Sequence, residues 1–292
     1  MASRVPPLLE PYLGLPPEAS LILLSGVLGS TANWLVHRYL YTLLAPPPSP
    51  PSPSTGAVLN HEKTEKTGDV NVILVSFLRD YAFWKDGAGR LGLDLDLSMR
   101  KGRFTFVDGL SDLFSTFSSD QRPKPSTVAS LGQRSLSSAT AQGLRKGLED
   151  TITQVQAASP GRPTVLVIDQ PDLLLAASGD NVPGNILRET LLDLRENVHS
   201  AIITLSADEP LIASQITSLE KEHAEFVLSL AHDAYLVIGL RLLDTGTARD
   251  VSGVLRMTTG GQSYDNSRNV DERELLYFVG GDSAVRVFER GQ

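Results

Sequence analysis

Short continuous apolar runs recur along the chain and alternate with longer segments in which apolar residues return every three or four positions. The runs lie at residues 21–25, 70–76, 104–107, 164–169 and 201–205. Such runs are typical of strands that are buried on both faces of a parallel sheet. The segment at 185–198 is a clear amphipathic helix, with Leu187, Leu191 and Leu194 on one stripe. The pattern therefore predicts an α/β protein with a mostly parallel central sheet flanked by helices.

Capping residues indicate where two of the helices begin. Asn185 is the candidate N-cap of the helix at 185–198, and Asp208 is the candidate N-cap of the next one. Pro210 suits the first turn of that second helix, whose apolar face continues through Leu230. Further helices are predicted from about Asn33, within 77–93 and over about 140–158.

The pattern changes after residue 234, where four β-rich runs follow one another at 235–243, 251–259, 275–279 and 284–289. The last two flank Gly280, Gly281, Asp282 and Ser283, which is a hairpin signature. The sequence therefore predicts an antiparallel extension at the C-terminal end of the parallel sheet.

The chain reads as one domain over residues 1–292, because no linker separates two balanced halves and 41% of the residues are hydrophobic. Residues 1–19 form a Pro-rich, extended lead-in. Two polar, low-complexity segments, at 46–69 and 118–137, are predicted to be disordered insertions. The first contains PPPSPPSP, for which a polyproline ligand of a partner domain is the alternative.

Charge and composition exclude several classes of function. The net charge is −8, so any RNA contact must use a local basic patch. The absence of cysteine excludes disulfides, thiolate zinc sites and cysteine nucleophiles. No apolar run approaches the roughly 20 residues that span a bilayer, and the N-terminus lacks the apolar core of a secretory signal. We expect a soluble protein without membrane contact, in the cytoplasm and also in the nucleus.

The first strand runs into a glycine turn and a helix, which is the layout of a phosphate-binding loop. The chemistry of that loop is missing, because Thr31 stands where its second glycine belongs, Ala32 replaces the lysine and Asn33 replaces the magnesium-binding hydroxyl. The candidate residues for residual nucleotide or anion binding through backbone amides are Gly26, Gly29, Ser30 and Thr31. The alternative is a purely structural turn, which we favour because the lysine charge is lost.

The run VLVID ends at Asp169, as the magnesium-binding Walker B strand does in nucleotide hydrolases. No glutamate follows it, since the next residues are Gln170 and Pro171. Asp169 is therefore a weak candidate for metal binding, and a polar strand end is the alternative. The histidines are scattered and form no metal-ligand spacing, so we expect no metal and no cofactor.

Basic residues cluster in and after the second insertion. Arg122, Lys124, Arg134, Arg145 and Lys146 are the candidate contacts to RNA phosphates. An ordinary solvated loop is the alternative, because the chain is acidic overall and aromatic residues make up only 6% of it.

Three blocks, GVLGSTANWLVHRYL, VILVSFLRDYAFWK and VLVIDQPDLLLA, resemble the Elongator complex protein 6 family. The tail LAHDAYLVIGLRLLDTGTARDVSGVLRMT also matches the RecA-like pattern of that family. The second block is specific to the family, whereas the third is common among RecA-like domains. The resemblance covers most of the chain outside the two insertions and implies a RecA-like fold with degenerate Walker A and B motifs.

The resemblance also implies a function without catalysis. Members of the family assemble with Elongator complex proteins 4 and 5 into a hetero-hexameric ring that binds tRNA and joins the catalytic Elongator subcomplex, which modifies wobble uridines. Two other functions stay open at this point. One is an active RecA-like NTPase with an unusual phosphate loop, and the other is a recombinase-paralogue-like accessory protein that acts on DNA.

In RecA-like rings the loops of one subunit pack against the nucleotide face of its neighbour. The candidate interface residues here are Phe77, Leu78, Arg79, Tyr81 and Trp84. Aromatic and arginine side chains are enriched at the centres of protein interfaces. The alternative is that Phe77, Tyr81 and Trp84 are core residues.

Overall fold

The computed structural model describes residues 5–46, 69–113, 132–244, 246, 248–261, 270–281 and 283–290, apart from the side chain of Asp180. The predicted insertion at 46–69 lies almost wholly outside these residues, as does the 118–131 part of the second insertion. Gln133–Ser135, which the prediction placed inside that insertion, form a short strand on the edge of the sheet. The second insertion therefore does not extend to 137 as predicted.

The described strands form a single ten-stranded sheet. They are β1 (Ser20–Gly26), β2 (Asn71–Ser76), β3 (Phe104–Asp108), β4 (Gln133–Ser135), β5 (Thr164–Asp169), β6 (Ser200–Ser206), β7 (Leu236–Arg241), β8 (Gly253–Thr259), β9 (Arg273–Val279) and β10 (Val285–Phe288). Their order is β10-β9-β8-β7-β1-β6-β5-β2-β3-β4. Strands β1 to β7 pair in parallel, and β8 to β10 pair antiparallel. Both the parallel sheet and its antiparallel extension are confirmed.

Helices cover both faces of the parallel part of the sheet. They are α1 (Asn33–Leu44), α2 (Tyr81–Arg90), α3 (Leu95–Arg100), α4 (Ala141–Ala158), α5 (Leu173–Ala177), α6 (Gly184–Glu196), α7 (Glu209–Ala213) and α8 (Ser218–Asp233), with short 3-10 helices at Pro7–Tyr12 and Gly179–Asn181. One core lies between the sheet and α1, α2 and α3, and it includes the C-terminal hairpins. The second core lies on the opposite face, under α4, α5, α6 and α8.

The N-terminal lead-in is not extended throughout, as the sequence predicted. It contains the 3-10 helix Pro7–Tyr12, and both Leu9 within this helix and Leu13 directly after it are completely buried in the first core. The hydroxyl of Thr42 on α1 donates a hydrogen bond to the Leu13 carbonyl at 2.5 Å. The prolines predicted an extended segment, but the apolar pair four residues apart packs against the core.

Of the two predicted helix starts, the one at Asn185 is wrong and the one at Asp208 is correct in position. Helix α6 begins one residue before Asn185, with Pro183 as its N-cap, and the Gly184 N–H donates to Glu222 Oε1 at 2.6 Å. Asp208 occupies the N-cap position of α7 and Pro210 lies in its first turn, as predicted, although the Asp208 side chain makes no capping hydrogen bond. The predicted continuation is wrong, because α7 ends at Ala213 and α8 is a separate helix. Thr217 starts α8 with a capping box, a local signal that the apolar pattern obscured.

The parallel strands all end on one side of the sheet, which we call the carboxyl edge. Registered pairs place Gly26 beside Ser206 and place Asp169 beside both Ser76 and Thr204. In open α/β sheets, ligands bind in the crevice outside the carboxyl ends of the strands. Every candidate nucleotide-site residue therefore lies at the carboxyl edge.

Candidate functional site

The loop that joins β1 to α1 folds back on itself. Val27 and Ser30 form an isolated bridge, in which the Ser30 N–H donates to the Val27 carbonyl at 2.8 Å. Gly29 has a φ of +86°, which favours glycine. A Cβ added at Gly26 would lie 2.6 Å from the Ser30 carbonyl oxygen, so this close approach also requires glycine. Both glycines of the apparent phosphate loop therefore have a structural role in a tight turn.

A carboxylate holds the same turn from outside. The Leu28 N–H donates to Asp208 Oδ1 at 2.7 Å, and the Asn33 N–H donates to Thr31 Oγ1 at 3.2 Å. Backbone N–H groups of this kind are the donors that a phosphate-binding loop presents to its ligand. Here two of them have internal acceptors, and the negative charge of Asp208 repels an incoming phosphate.

Ser30 points into the protein, where it is buried. Its hydroxyl shares a 2.5 Å hydrogen bond with the hydroxyl of Tyr277 on β9. The ring of Tyr277 packs on Trp34 at a centroid distance of 5.3 Å, and burial raises the pKa of its hydroxyl. Ser30 thus connects the β1–α1 loop to the C-terminal extension instead of facing a ligand.

Asp169 ends β5 as predicted, but its carboxylate is committed to neighbouring strands. Ser76 on β2 donates to one oxygen at 2.8 Å, and Thr204 on β6 donates to the other, also at 2.8 Å. Burial raises the pKa of Asp169, against the lowering effect of these two hydrogen bonds. The arrangement matches a polar strand end that links three strands. The described residues contain no group of three histidine, aspartate or glutamate side chains suited to a metal ion.

A second buried acid, Asp172, lies close to Asp169 and was not identified from the sequence. Its Oδ2 accepts a hydrogen bond from the Ser206 N–H at 3.1 Å, while its Oδ1 is buried without a partner in the described structure. Burial raises the pKa of Asp172 to about 6, although His223 acts in the opposite direction. The sequence contained no signal for this site beyond an aspartate close after a strand.

Most of the large hydrophobic side chains that the described residues expose lie at the carboxyl edge. They follow the ends of strands or lie between α7 and α8, and their exposed fractions are 86% for Leu28, 38% for Leu78, 44% for Leu110, 45% for Leu242 and 80% for Ile216. The strands that these residues follow lie between β7 and β3 in the sheet, a distance of five strand spacings, or about 24 Å. We call these five residues the leucine rim. A leucine one or two positions beyond a strand end was a visible signal that sequence reasoning missed.

The candidate interface residues divide into two groups. Phe77 and Trp84 are core residues, with exposed fractions of 3% and 0%, so the alternative reading is correct for these two side chains. Arg79 is exposed, and its guanidinium lies 5.0 Å from the centre of the Phe83 ring. Tyr81 is partly exposed and donates a 2.6 Å hydrogen bond to Asp96. Only Leu78, Arg79 and Tyr81 are placed to contact another molecule.

The candidate RNA contacts do not form one patch among the described residues. Arg145 is neutralised by ion pairs with Glu149 at 2.8 Å and Asp193 at 2.6 Å. Arg134 donates to Gln154 at 2.6 Å on the edge of the sheet, and Lys146 is exposed on α4. Arg122 and Lys124 lie outside the described residues. Among the described residues, none of the helices has the length and apolar character that crossing a membrane requires.

Comparison with known proteins shows the protein family of this chain. The family model described as Elongation complex protein 6 matches residues 66–279. The chain belongs to this family. Elongator complex protein 6 of Xenopus laevis is 24% identical over 232 residues, which cover 75% of this chain and 80% of that protein. The Elongator complex protein 6 homolog of Schizosaccharomyces pombe is 24% identical over 282 residues, covering 95% and 94%. The family resemblance read from the sequence is confirmed.

Comparison with solved structures supports the fold class. The chain superposes on the crystal structure of a KaiC-like protein from Pyrococcus horikoshii with a TM-score of 0.54. The two proteins are 14% identical, and the match covers 99% of this chain and 98% of the other. The predicted RecA-like fold is thereby confirmed. At this level of identity the likeness concerns the fold alone.

Proposed function

We propose that the chain is a non-catalytic structural subunit of the Elongator complex. In this role it assembles with Elongator complex proteins 4 and 5 into a hetero-hexameric RecA-like ring. One observation supports the proposal above all: at the carboxyl edge, a closed loop without a lysine lies beside exposed leucines. Nucleotide chemistry requires polar donors and a cation at this place, whereas a protein interface requires exposed apolar area.

The ring geometry explains why a subunit would keep this architecture without its chemistry. A subunit can contribute packing surface to its neighbour while hydrolysing nothing itself. The leucine rim, together with Arg79 and Tyr81, is our proposed contact with the adjacent subunit. Large hydrophobic anchors surrounded by polar groups are the usual composition of such a surface.

The proposed role extends to tRNA through the assembled ring. We place it in the cytoplasm and also in the nucleus, where the ring joins the catalytic Elongator subcomplex and supports modification of wobble uridines. Arg122, Lys124, Arg134 and Lys146 remain our candidate phosphate contacts, and we give Arg145 less weight because two carboxylates neutralise it. We expect no cofactor in this chain.

Co-purification with Elongator complex proteins 4 and 5 tests the assembly. The double variant Leu28→Asp/Leu78→Asp places charge on the leucine rim and is expected to lose the partners. Leu228→Asp is the matched control, because Leu228 is 54% exposed but lies about 15 Å along α8 from the start of that helix. Retention of both partners by the double variant would contradict the proposed interface.

Two further measurements separate the alternatives. An active NTPase would hydrolyse ATP well above a Gly26 variant, and we expect no difference between the two proteins. A recombinase-paralogue-like protein would prefer DNA. Competition between tRNA and DNA for the assembled particle at one fixed salt concentration decides this, because bare affinities depend on salt. We expect tRNA to compete better.

A further inference from the structure

Helix α1 carries a buried cation for which the described residues provide no counter-ion. Arg38 has an exposed fraction of 2%, and its Nη2 donates to the Ser283 carbonyl at 3.0 Å. Its Nε is buried and has no partner in the described structure. A buried charge is costly unless it is paired and fully hydrogen-bonded, so this guanidinium calls for an acceptor.

A second arginine converges on the same residue. Arg90, the last residue of α2, donates from Nη1 to Ser283 Oγ at 3.1 Å and is exposed to solvent. Ser283 lies between β9 and β10, and its carbonyl and hydroxyl oxygens accept these two hydrogen bonds. Among the described residues, no carboxylate lies within ion-pair distance of Arg38 or Arg90.

Two neighbouring side chains on α1, Trp34 and His37, bring no negative charge to these arginines. Trp34 lies one helical turn before Arg38, and its indole N–H is likewise buried without an acceptor in this part of the structure. Burial lowers the pKa of His37 to about 4, and the charges of Arg38 and Arg90 act in the same direction. The His37 ring is therefore neutral at pH 7. The surroundings therefore offer donors and positive charge to an acceptor that carries negative charge.

We propose that Arg38, Arg90 and Ser283 form an anion site that binds a phosphate group. Two guanidinium groups from different helices suit the several oxygens of a phosphate better than a single carboxylate. The site is separate from the β1–α1 loop, since it lies between α1, α2 and the β9–β10 turn. It does not depend on the proposed ring assembly.

Thermal unfolding of the full chain in increasing phosphate, with ionic strength held constant by sodium chloride, tests the site. A ligand that binds only the native state at 100 times its Kd should raise Tm by about 5 °C in a protein of this size. Arg90→Gln is expected to lose most of this rise. Arg100→Gln is the matched control, because Arg100 is also the exposed last residue of its helix, α3.

The same unfolding measurement with other ligands identifies the chemistry that the site recognises. Glycerol 3-phosphate distinguishes a phosphomonoester from the free ion, and either source supports the proposal. Equal stabilisation by acetate, or a phosphate effect that Arg90→Gln leaves intact, would overturn it. Asp282 lies outside the described residues, so Asp282→Asn is also measured. If phosphate stabilised that variant but not the natural sequence, an internal carboxylate would fill the site and the proposal would fail.

Discussion

At the scale of single residues, two glycines on α2 have contrasting surroundings. A Cβ added at Gly87 would lie 2.0 Å from His37 Nε2, whereas a Cβ added at Gly89 would meet nothing within 4 Å. Helices α1 and α2 therefore approach each other closely at Gly87. The sequence showed three glycines near the end of this helix but could not indicate which one a neighbouring helix requires.

We predict that Gly87→Ala destabilises the protein by about 1–3 kcal/mol, because the methyl group must displace His37 and its neighbours. Gly89→Ala is the control on the same helix and should increase stability by roughly 0.5–1 kcal/mol through helix propensity. Urea unfolding of both variants provides the comparison. Equal effects of the two substitutions would argue against the close approach.

The buried His37 predicts a loss of stability in acid. Its pKa in the folded protein is about 4, below the ordinary value of 6.5, so the folded state resists protonation. The stability contributed by the neutral ring is complete above pH 6.5 and is lost as the pH falls toward 4. Between pH 7.5 and pH 5 this amounts to about 2 kcal/mol. His37→Leu should remove this loss in urea unfolding at the two pH values.

Asp172 predicts the opposite dependence. Burial raises its pKa to about 6 from 3.8, so the folded state binds the proton more tightly and gains stability as the pH falls through 6. The gain between pH 7.5 and pH 5 is about 1 kcal/mol. Asp172→Asn should remove this gain and should be more stable than the natural sequence at pH 7.5. If the unfolding free energy of the natural sequence had the same pH dependence as that of the His37→Leu and Asp172→Asn variants, neither pKa would be shifted in the folded protein.

At the scale of elements, the β1–α1 loop is held by the end of the chain. The Ser30–Tyr277 hydrogen bond crosses between an N-terminal loop and a C-terminal strand. The loop looked like a phosphate site because β1, the glycines and α1 are in the right order. Its closure depends on Asp208 and Tyr277, which lie far away in the sequence, so local patterns could not reveal it.

A double-mutant cycle measures this connection. Ser30→Ala and Tyr277→Phe should each cost about 1–2 kcal/mol in unfolding free energy, because each leaves a buried hydroxyl without its partner. The double variant should cost less than the sum, with a coupling of about 1 kcal/mol. Strict additivity would mean that the two hydroxyls do not interact in solution.

The strands were easier to predict than the ends of the helices. Continuous apolar runs located β1, β2, β3, β5 and β6, because strands in the middle of a parallel sheet are buried on both faces. Helix starts failed where the cap was a proline or a capping box, as at Pro183 and Thr217. At the candidate site, the sequence identified Asp169 as a strand end, whereas the burial of Phe77 and Trp84 depended on packing across the sheet.

At the scale of the whole molecule, the leucine rim accounts for the proposed assembly. Leu28 is 86% exposed and Leu78 is 38% exposed, so only the substitution at Leu78 removes internal packing. The isolated Leu28→Asp/Leu78→Asp variant should therefore lose only about 1 kcal/mol of unfolding free energy relative to the natural sequence. Urea unfolding checks this. A large loss of stability would mean that the rim packs within the chain, and its effect on assembly would then be indirect.

The most direct test of the central claim is the mass, measured by light scattering, of the particle formed with Elongator complex proteins 4 and 5, with and without tRNA. We predict a three-component particle close to six subunits in size. Its formation should require no nucleotide in this chain and should fail with the rim double variant but not with Leu228→Asp. A chain that remains alone with both partners present would contradict the account.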